Sequence, residues 1–564
     1  MARCALISFS GYPATPSSLM PDNGLASLAA CLTQAGHEPL ILDLNTVSTM
    51  ARLYPESIAS PVRPLARAVL REGRRLSWRD KARMLRLAWR LERHQQAEID
   101  RIATDLVDEL AAWQPTLVGF KLWNGDGFSG AVRVAHAVRR MLPGVRVVAG
   151  GPHVDYFGGH ILNYTDAFDV LVRSEGERAL VHLCEWADGK RPINAVAGAL
   201  WRNGKALASN PVKPLPGLAA VPLPCYDPVV YPALRGDDKI RIGVIEESRG
   251  CPQRCSFCIH PIKSGGRWRV KRPDRVLAEI GRLREQMKTN TFAYAGSNTP
   301  AKAAVAYARA LIQGDLDIRY ACFGHAKGMQ QADFDLLRRS GCQAIFYGIE
   351  SGSPRILREG FNKTATVDDI RRVILATKAA GIFAIGSVIH PAPFETEQTR
   401  AATLRLLEEI RPDSVPVTAP GIIPGTPWHQ APWRYGFALS RRRDLYAYGL
   451  TYKIRLLFPP SMWKPLPYTL DGKSSKVFLN ETARFINDVE ERGIMTQVPH
   501  ELHLMAQALD TPVRVFRDEA RLAFYSGDAA WAANLAERVN RAVRPGTAAA
   551  DRARPGTAVA GRSA

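Results

Sequence analysis

Short apolar runs alternate with amphipathic stretches through the first 200 residues. Residues 2–9 (ARCALISF) read as a buried strand and 11–24 as a Gly/Pro/Ser loop. Residues 25–34 read as a helix ended by Gly36, and 38–44 as a second strand. The order returns with a strand at 116–122, a helix near 129–141, and strands at 145–149 and 169–173. Such repetition predicts an α/β, Rossmann-like, doubly wound sheet, in which ligands bind at the carboxyl ends of the strands. Those ends carry Asn124-Gly125-Asp126-Gly127, Gly150-Gly151-Pro152-His153 and Ser174-Glu175-Gly176-Glu177.

The pattern changes between 46 and 115. Segment 63–93 holds eleven Arg/Lys against three Asp/Glu, with Leu85, Trp89 and Leu91 at helical spacing among the arginines. It reads as a basic amphipathic insertion packed on the domain, with an anionic-ligand surface or nucleic-acid binding as the alternatives. Prolines crowd 209–234 and mark a boundary. The organisation expected is a Rossmann-like domain over 1–205 with its insertion at about 46–115, a Pro-rich linker over 206–238, a second α/β unit over 239–430 and a helical region over 431–541. The tail 542–564, with its repeated Arg-Pro-Gly-Thr-Ala, cannot bury a core and reads as disordered.

Composition narrows the class. Of 564 residues, 46% are hydrophobic and 23% charged, which excludes fibrous, mostly disordered and disulfide-scaffold proteins. Nine cysteines are too dilute for a disulfide framework, no apolar run reaches the length of a membrane span, and the N-terminus does not read as a signal peptide. A cytoplasmic protein with reduced thiols and no membrane partner is expected. The net charge of +21 owes eight units (eleven minus three) to 63–93, and no groove-reading motif accompanies it. A solvated face is the reading of that charge, and nucleic acid is not an expected partner.

The strongest chemical signal is Cys251-Pro-Gln-Arg-Cys255-Ser-Phe-Cys258. Three thiolates on one loop suit an iron–sulfur cube with one iron left open, and a zinc site completed by His260 is the alternative. The spacing, with Phe257 before the third cysteine, resembles the signature of the radical S-adenosylmethionine (SAM) superfamily. Agreeing stretches are 265–269, 272–273, 279–280, Gly341-Cys342, 346–353 (FYGIESGS), 381–382 with 387–389, and Pro424-Gly425-Thr426-Pro427. The resemblance implies a partial (β/α)6 barrel over 239–430 and a 4Fe-4S cluster held by Cys251, Cys255 and Cys258. It implies SAM on the open iron, Phe257 against the adenine, and Gly348, Glu350 and Ser351 near its polar end or ribose.

The first domain is similar to the cobalamin-binding domain of B12-binding radical SAM proteins, on 21–25, 150–153 and 174–177. That implies cobalamin contacts from Asn23, Asn124, Asp126, Gly150, Gly151, His153, Ser174, Glu175 and Gly176. No D-x-H-x-x-G follows the third strand, which reads Lys121-Leu-Trp-Asn-Gly-Asp126. A base-off cobalamin without a histidine below it is therefore implied. His325, His390 and Tyr294, at strand ends, are the candidate acid/base residues, with His260 a further one and Cys322 the candidate reactive thiol. The region 431–540, with Trp433, Tyr435, Tyr446, Tyr448, Tyr452 and Trp463, is expected to help close the pocket, its aromatics packing a core or, as the alternative, lining an aromatic or extended substrate site.

The function implied is that of a class B, cobalamin-dependent radical SAM methyltransferase. It would methylate a carbon centre of a small molecule or peptide-derived natural-product intermediate, using methylcobalamin and SAM, with an electron donor such as flavodoxin or ferredoxin. Rearrangement, cyclisation or ring contraction without methyl transfer is the second reading, and a non-catalytic cobalamin or redox sensor the third.

Overall fold

The computed structural model describes residues 1–71, 76–296, 298–440, 442–453, 458 and 463–546. Seven strands form the first sheet: β1 (Arg3–Ser8), β2 (Glu38–Asp43), β3 (Leu117–Lys121), β4 (Arg146–Gly150), β5 (Val170–Val172), β6 (Ala199–Asn203) and β7 (Ala206–Ser209), in the order β2-β1-β3-β4-β5-β6-β7. The first five run parallel, and β6 and β7 are antiparallel. The chain order reverses at β1, which lies between β2 and β3, so the crevice at their carboxyl ends is a switch point. Both faces are covered. Leu6, Leu117 and Val148 join one apolar cluster with helix α1 (Asn23–Gln34), while Ile7, Val118 and Phe120 join another. Asp22 caps α1 by accepting from the Leu25 N–H, which starts that helix two residues before the expected position.

Three helices connect β2 to β3: α2 (Val47–Leu53), α3 (Glu56–Leu70) and the 36-residue α4 (Trp78–Trp113). Ile99, Ile102, Leu106 and Leu110 are buried at helical spacing, and this second half of α4 packs on α5 (Asp126–Met141). The 46–115 stretch is therefore not an insertion throughout. Its last third is the crossover helix that a parallel β2-to-β3 connection requires.

The proline-rich stretch is not a free linker either. β7 belongs to the first sheet, and 226–231 straps the edge of β2: the Ile41 N–H donates to the Val230 carbonyl at 2.7 Å and Tyr226 and Tyr231 are fully buried. The strap ends at Lys239, whose Nζ lies 2.7 Å from Asp43 Oδ2 with no exposure to solvent.

The second sheet has six parallel strands: β8 (Gly243–Ile245), β11 (Thr291–Tyr294), β12 (Arg319–Gly324), β13 (Cys342–Glu350), β14 (Phe383–Ile389) and β15 (Val417–Thr418), in the order β15-β14-β13-β12-β11-β8. The short pair β9 (Ser248–Arg249) and β10 (Arg269–Val270) is antiparallel and brackets the cysteine loop. Ala293, Ala321, Ala344 and Ile385 face inward and are covered by the helix His500–Ala508, which plugs the barrel interior. A hairpin of β16 (Phe437–Leu439) and β17 (Tyr468–Leu470) precedes the C-terminal helices. The last helix is Ala529–Ala542, so the tail expected to be disordered from 542 lies, from 547 on, outside the described residues. Among the described residues no helix is long and apolar enough to cross a membrane.

Candidate active site

Cys251, Cys255 and Cys258 lie half-buried on the loop between β9 and the helix His260–Lys263. Two anchors hold this loop from behind. The Ser256 N–H donates to the Phe361 carbonyl at 2.9 Å, and the Ser256 carbonyl accepts from the Trp428 N–H at 3.1 Å. Trp428 is fully buried, its indole N–H donates to the Gly360 carbonyl at 3.0 Å, and Phe257 packs on it and on Phe361 with centroids 5.8 and 5.6 Å away. Trp428 follows the quoted Pro424–Pro427 stretch directly; its adjacency to that motif was the signal for it. The Asn298 amide nitrogen stands 4.0 Å from Cys251 Sγ. Burial pushes the Cys258 thiol up to about 11, while the His260 N–H pulls it down.

Beside this loop, Glu350 ends β13 with φ +65, after a register shift at Gly348. It is buried and ion-paired to Lys363 at 3.3 Å, and the same Nζ donates to the Gly348 carbonyl at 2.7 Å. A Cβ on Gly348 would lie 2.2 Å from the Glu350 carboxylate, so only glycine leaves room for that pair. A non-glycine residue in the left-handed region costs energy that the surroundings must offset, and it turns Glu350 toward the cysteine loop. Burial raises its carboxyl and Lys363 opposes the shift. Ser351 points the other way, its hydroxyl 3.2 Å from Thr403 Oγ1 and accepting from the Ser353 N–H.

The acid/base candidates separate. His325 stands half-buried at the end of β12, close enough to Lys363 to feel its charge. Burial lowers its imidazole to about 4, so it is neutral at pH 7. Tyr294 is a correction. Phe292 and Tyr294 point to the helix side of the sheet and Ala293 inward, so Tyr294 stacks on Tyr320 (centroids 4.9 Å) in the core and does not reach the barrel mouth. His390 is a second correction: its buried ring stacks on Phe485 at 4.2 Å, with Nδ1 3.4 Å from Glu395. Cys322 likewise faces the helix side, against Cys342.

A cavity of about 390 Å³ opens between the two sheets' carboxyl ends. Gly119, Gly150, Gly151, Ser174, Glu175 and Gly176 line it from the first domain, and Glu246, Arg249, His260 and Ser264 from the barrel. Added Cβ atoms on Gly119 and Gly176 would stand 3.2 and 3.1 Å from Leu6 and Leu28, so this slot depends on missing side chains. Glu175 takes a different role from the one expected: it accepts from Arg269 at 2.6 and 3.0 Å and from the Leu215 N–H at 2.6 Å. Arg249, ion-paired with Glu177 and Glu246, completes this bridge between the domains. Sequence reasoning missed both arginines.

The other expected cobalamin contacts are not brought into that cavity. Asn23 accepts from the Tyr226 hydroxyl at 3.0 Å, and His153 Nδ1 lies 3.1 Å from the Leu122 carbonyl, with burial lowering it to about 4. Asn124 and Asp126 line a separate cavity of about 570 Å³ with Leu85, Trp89 and Lys453, and Asp126 is ion-paired to Lys453 at 2.7 Å. A third cavity of about 1080 Å³ shares Met84, Tyr452, Phe458 and Phe524 with the second and reaches Thr418–Gly421 at the end of β15 and Trp463. Trp433 is 71% exposed and closes nothing.

The sequence pattern of the Radical SAM superfamily matches residues 245–407, and that of the B12 binding domain matches 82–184. The chain is a B12-binding radical SAM protein. Its cofactors are a 4Fe-4S cluster, SAM and cobalamin. It is 27% identical over 355 residues to an uncharacterized methyltransferase of Pyrococcus horikoshii, covering 62% of this chain and 76% of that one. It is 24% identical over 333 residues to an anaerobic magnesium-protoporphyrin IX monomethyl ester cyclase of Rubrivivax gelatinosus, covering 56% of this chain and 59% of the cyclase. The solved structure of the radical S-adenosylmethionine methyltransferase TsrM from Kitasatospora setae, with cobalamin and an iron–sulfur cluster bound, shares the fold. It aligns over 94% of this chain and all of its own, with TM-score 0.65 and 15% identity.

The residues of this radical SAM protein fit those groups. Among the described residues no three His, Cys, Asp or Glu side chains stand close enough to hold one metal ion. Three thiolate donors on one loop are the donor set that an iron–sulfur cluster with one iron left open requires. The glycine-lined slot, bounded on the barrel side by Gly250 and His260, fits an organic cofactor held against a parallel sheet.

Glu247, next to Glu246, carries a testable charge. It is fully buried, bonded by the Gly296 N–H at 2.9 Å and by the Thr299 hydroxyl, and burial pushes it up to about 7. A folded carboxyl above its unfolded value gives stability that is full at low pH and is lost as pH rises through about 7. Glu247→Gln is expected to raise the unfolding temperature at pH 8 but hardly at pH 5, by the equivalent of at most about 3 kcal/mol. Thermal scans at the two pH values check it.

Proposed function

We propose that this protein is a cobalamin-dependent radical SAM methyltransferase that methylates a carbon centre of a small-molecule or peptide-derived intermediate. The observation that carries the reading is the shared cleft: the glycine-lined slot of the first domain reaches Gly250 and His260, the residues that flank the loop of Cys251, Cys255 and Cys258. When bound, the cluster and SAM supply a carbon-centred radical and cobalamin supplies the methyl group. Cys251, Cys255 and Cys258 hold the cluster, with Asn298 beside the first thiol. Glu350, kept in place by Lys363 and by the missing side chain of Gly348, meets the polar end of SAM, and Phe257 its adenine. Gly119, Gly150, Gly151 and Gly176 would admit cobalamin against the first sheet. His325 is a neutral imidazole at the barrel mouth, able to hold a hydrogen bond without adding charge. The bridge of Glu175, Arg249 and Arg269 closes the cleft against water. The joined cavities of 570 and 1080 Å³, lined by Met84, Tyr452, Phe458 and Phe524, suit a largely apolar substrate. A flavodoxin or ferredoxin supplies electrons.

The test is anaerobic reconstitution with cluster and hydroxocobalamin, followed by methyl-labelled SAM under reducing conditions. Release of 5′-deoxyadenosine and recovery of the label in the protein's cobalamin are expected. Neither signal appearing would sink the reading. The cyclase among the relatives favours a second reading, cyclisation without methyl transfer. 5′-Deoxyadenosine without any label transfer would select it.

A further inference from the structure

The outward face of the first half of α4 is left over by the function. Trp78, Leu85 and Trp89 are 74, 46 and 60% exposed. At about 100° per residue they fall within about 40° of one another on the helix surface, so they form one outward stripe. Arg79, Arg83, Arg86, Arg90 and Arg93 occupy the next sector on one side of that stripe. All five are exposed, and none has a carboxylate partner among the described residues. Arg79 and Arg93 instead lie over the rings of Trp78 and Trp89, 5.4 and 4.7 Å from the centroids. The opposite face, with Met84 and Leu87, is buried against Ile58, Val62 and Leu65 of α3. Packing therefore fixes which face looks outward. Leu85 and Trp89 also line the 570 Å³ cavity, with Ala88 and Glu92 on the stripe's other flank, and that cavity continues into the 1080 Å³ one.

We propose that this face of α4 docks on the surface of an anionic lipid bilayer. A soluble surface gains nothing by exposing two indoles and a leucine in line, whereas indoles settle at the level of lipid headgroups. The unpaired arginines complement anionic headgroups and lie alongside the stripe, as in helices that rest in the interfacial plane. The apolar stripe runs directly into a cavity mouth, which brings that mouth to the hydrocarbon boundary. A single strand of RNA would satisfy the arginines but would leave Leu85 and the cavity lip unused. The tail 547–564 carries Arg552, Arg554 and Arg562 against Asp551, so its charge repels this face. No spanning segment is needed for a contact of this kind. The inference does not rest on methyl transfer.

The test is co-flotation of the reconstituted full chain with vesicles of phosphatidylcholine and phosphatidylglycerol, beside vesicles of phosphatidylcholine alone. Binding to the anionic vesicles only is expected. The variants Trp78→Ala/Trp89→Ala and Arg83→Glu/Arg90→Glu should each lower the bound fraction about tenfold. Both alter exposed side chains, so cofactor absorbance and far-UV circular dichroism should match the parent and confirm the fold. Failure to float with anionic vesicles would overturn the proposal. So would flotation of the tryptophan variant at parental level, since charge alone would then account for it. Retention of a single-stranded RNA in a gel shift, without flotation, would reassign the face to nucleic acid.

Discussion

Cys255→Ser is expected to abolish SAM cleavage while leaving cobalamin bound. Cys255 is the middle of three thiols on one loop, and a cluster needs all three protein ligands to keep its fourth iron open. A hydroxyl is nearly the same size but a far poorer ligand for iron, so the loop folds and the cluster is lost. The anchors around it are untouched: the Ser256 N–H still meets Phe361, and Trp428 still meets the Ser256 carbonyl. The slot at Gly119, Gly150 and Gly176 lies on the other domain, so the cobalamin absorbance should persist. The cluster's broad visible absorbance and 5′-deoxyadenosine release should both fall to background, a loss of at least about a thousandfold in a reaction whose chemistry is the cofactor's. A variant that kept its cluster would show that a different residue supplies the third ligand.

Lys239→Ala is expected to be the most destabilising single change. Lys239 is fully buried, and its Nζ meets Asp43 Oδ2 and the Asn45 carbonyl, each at 2.7 Å. Asp43 also accepts from the hydroxyl of Tyr231 and from the amide of Asn45 at 2.9 Å. Removing the ammonium leaves a buried carboxylate without its cation, which costs about 3–5 kcal/mol. For a cooperative unit of 150–250 residues that corresponds to a fall of roughly 6–20 °C in the unfolding midpoint. The double variant Asp43→Asn/Lys239→Met removes both charges and should recover most of the loss. A scanning calorimetry trace of the three proteins decides it.

Strands and the cysteine loop were legible because each is a local signal. Three cysteines within eight residues need no tertiary knowledge, and neither does a short apolar run bounded by glycines. What was not legible was the side of the sheet. In Phe292-Ala293-Tyr294 every residue is apolar or aromatic, because a parallel sheet is buried on both faces, so no alternation tells inside from outside. Tyr294 was misplaced for that reason, and Cys322 with it. Glu175 sits on a strand-end loop that the glycines around it predict, but its partner Arg269 lies 94 residues away and belongs to the other domain. His390 was read by its position at a strand end, whereas the helix carrying Phe485, nearly a hundred residues later, decides what its ring touches. The 46–115 stretch misled through its charge: the arginines of α4 hide that its second half repeats apolar residues every three or four positions.

The last helix sets a clock on synthesis. Asn540 accepts from the Arg241 N–H at 2.6 Å and donates to the Lys239 carbonyl at 2.8 Å, across some 300 residues of chain. At 5–20 residues per second those bonds cannot form until about 15–60 s after Arg241 has been made. The strap that ends at Lys239 thus waits, unfastened on this side, while the whole barrel and the cysteine loop are translated. For that interval the strap along the edge of β2 is held by fewer ties than in the finished protein, and the last helix fastens it only after the barrel is made.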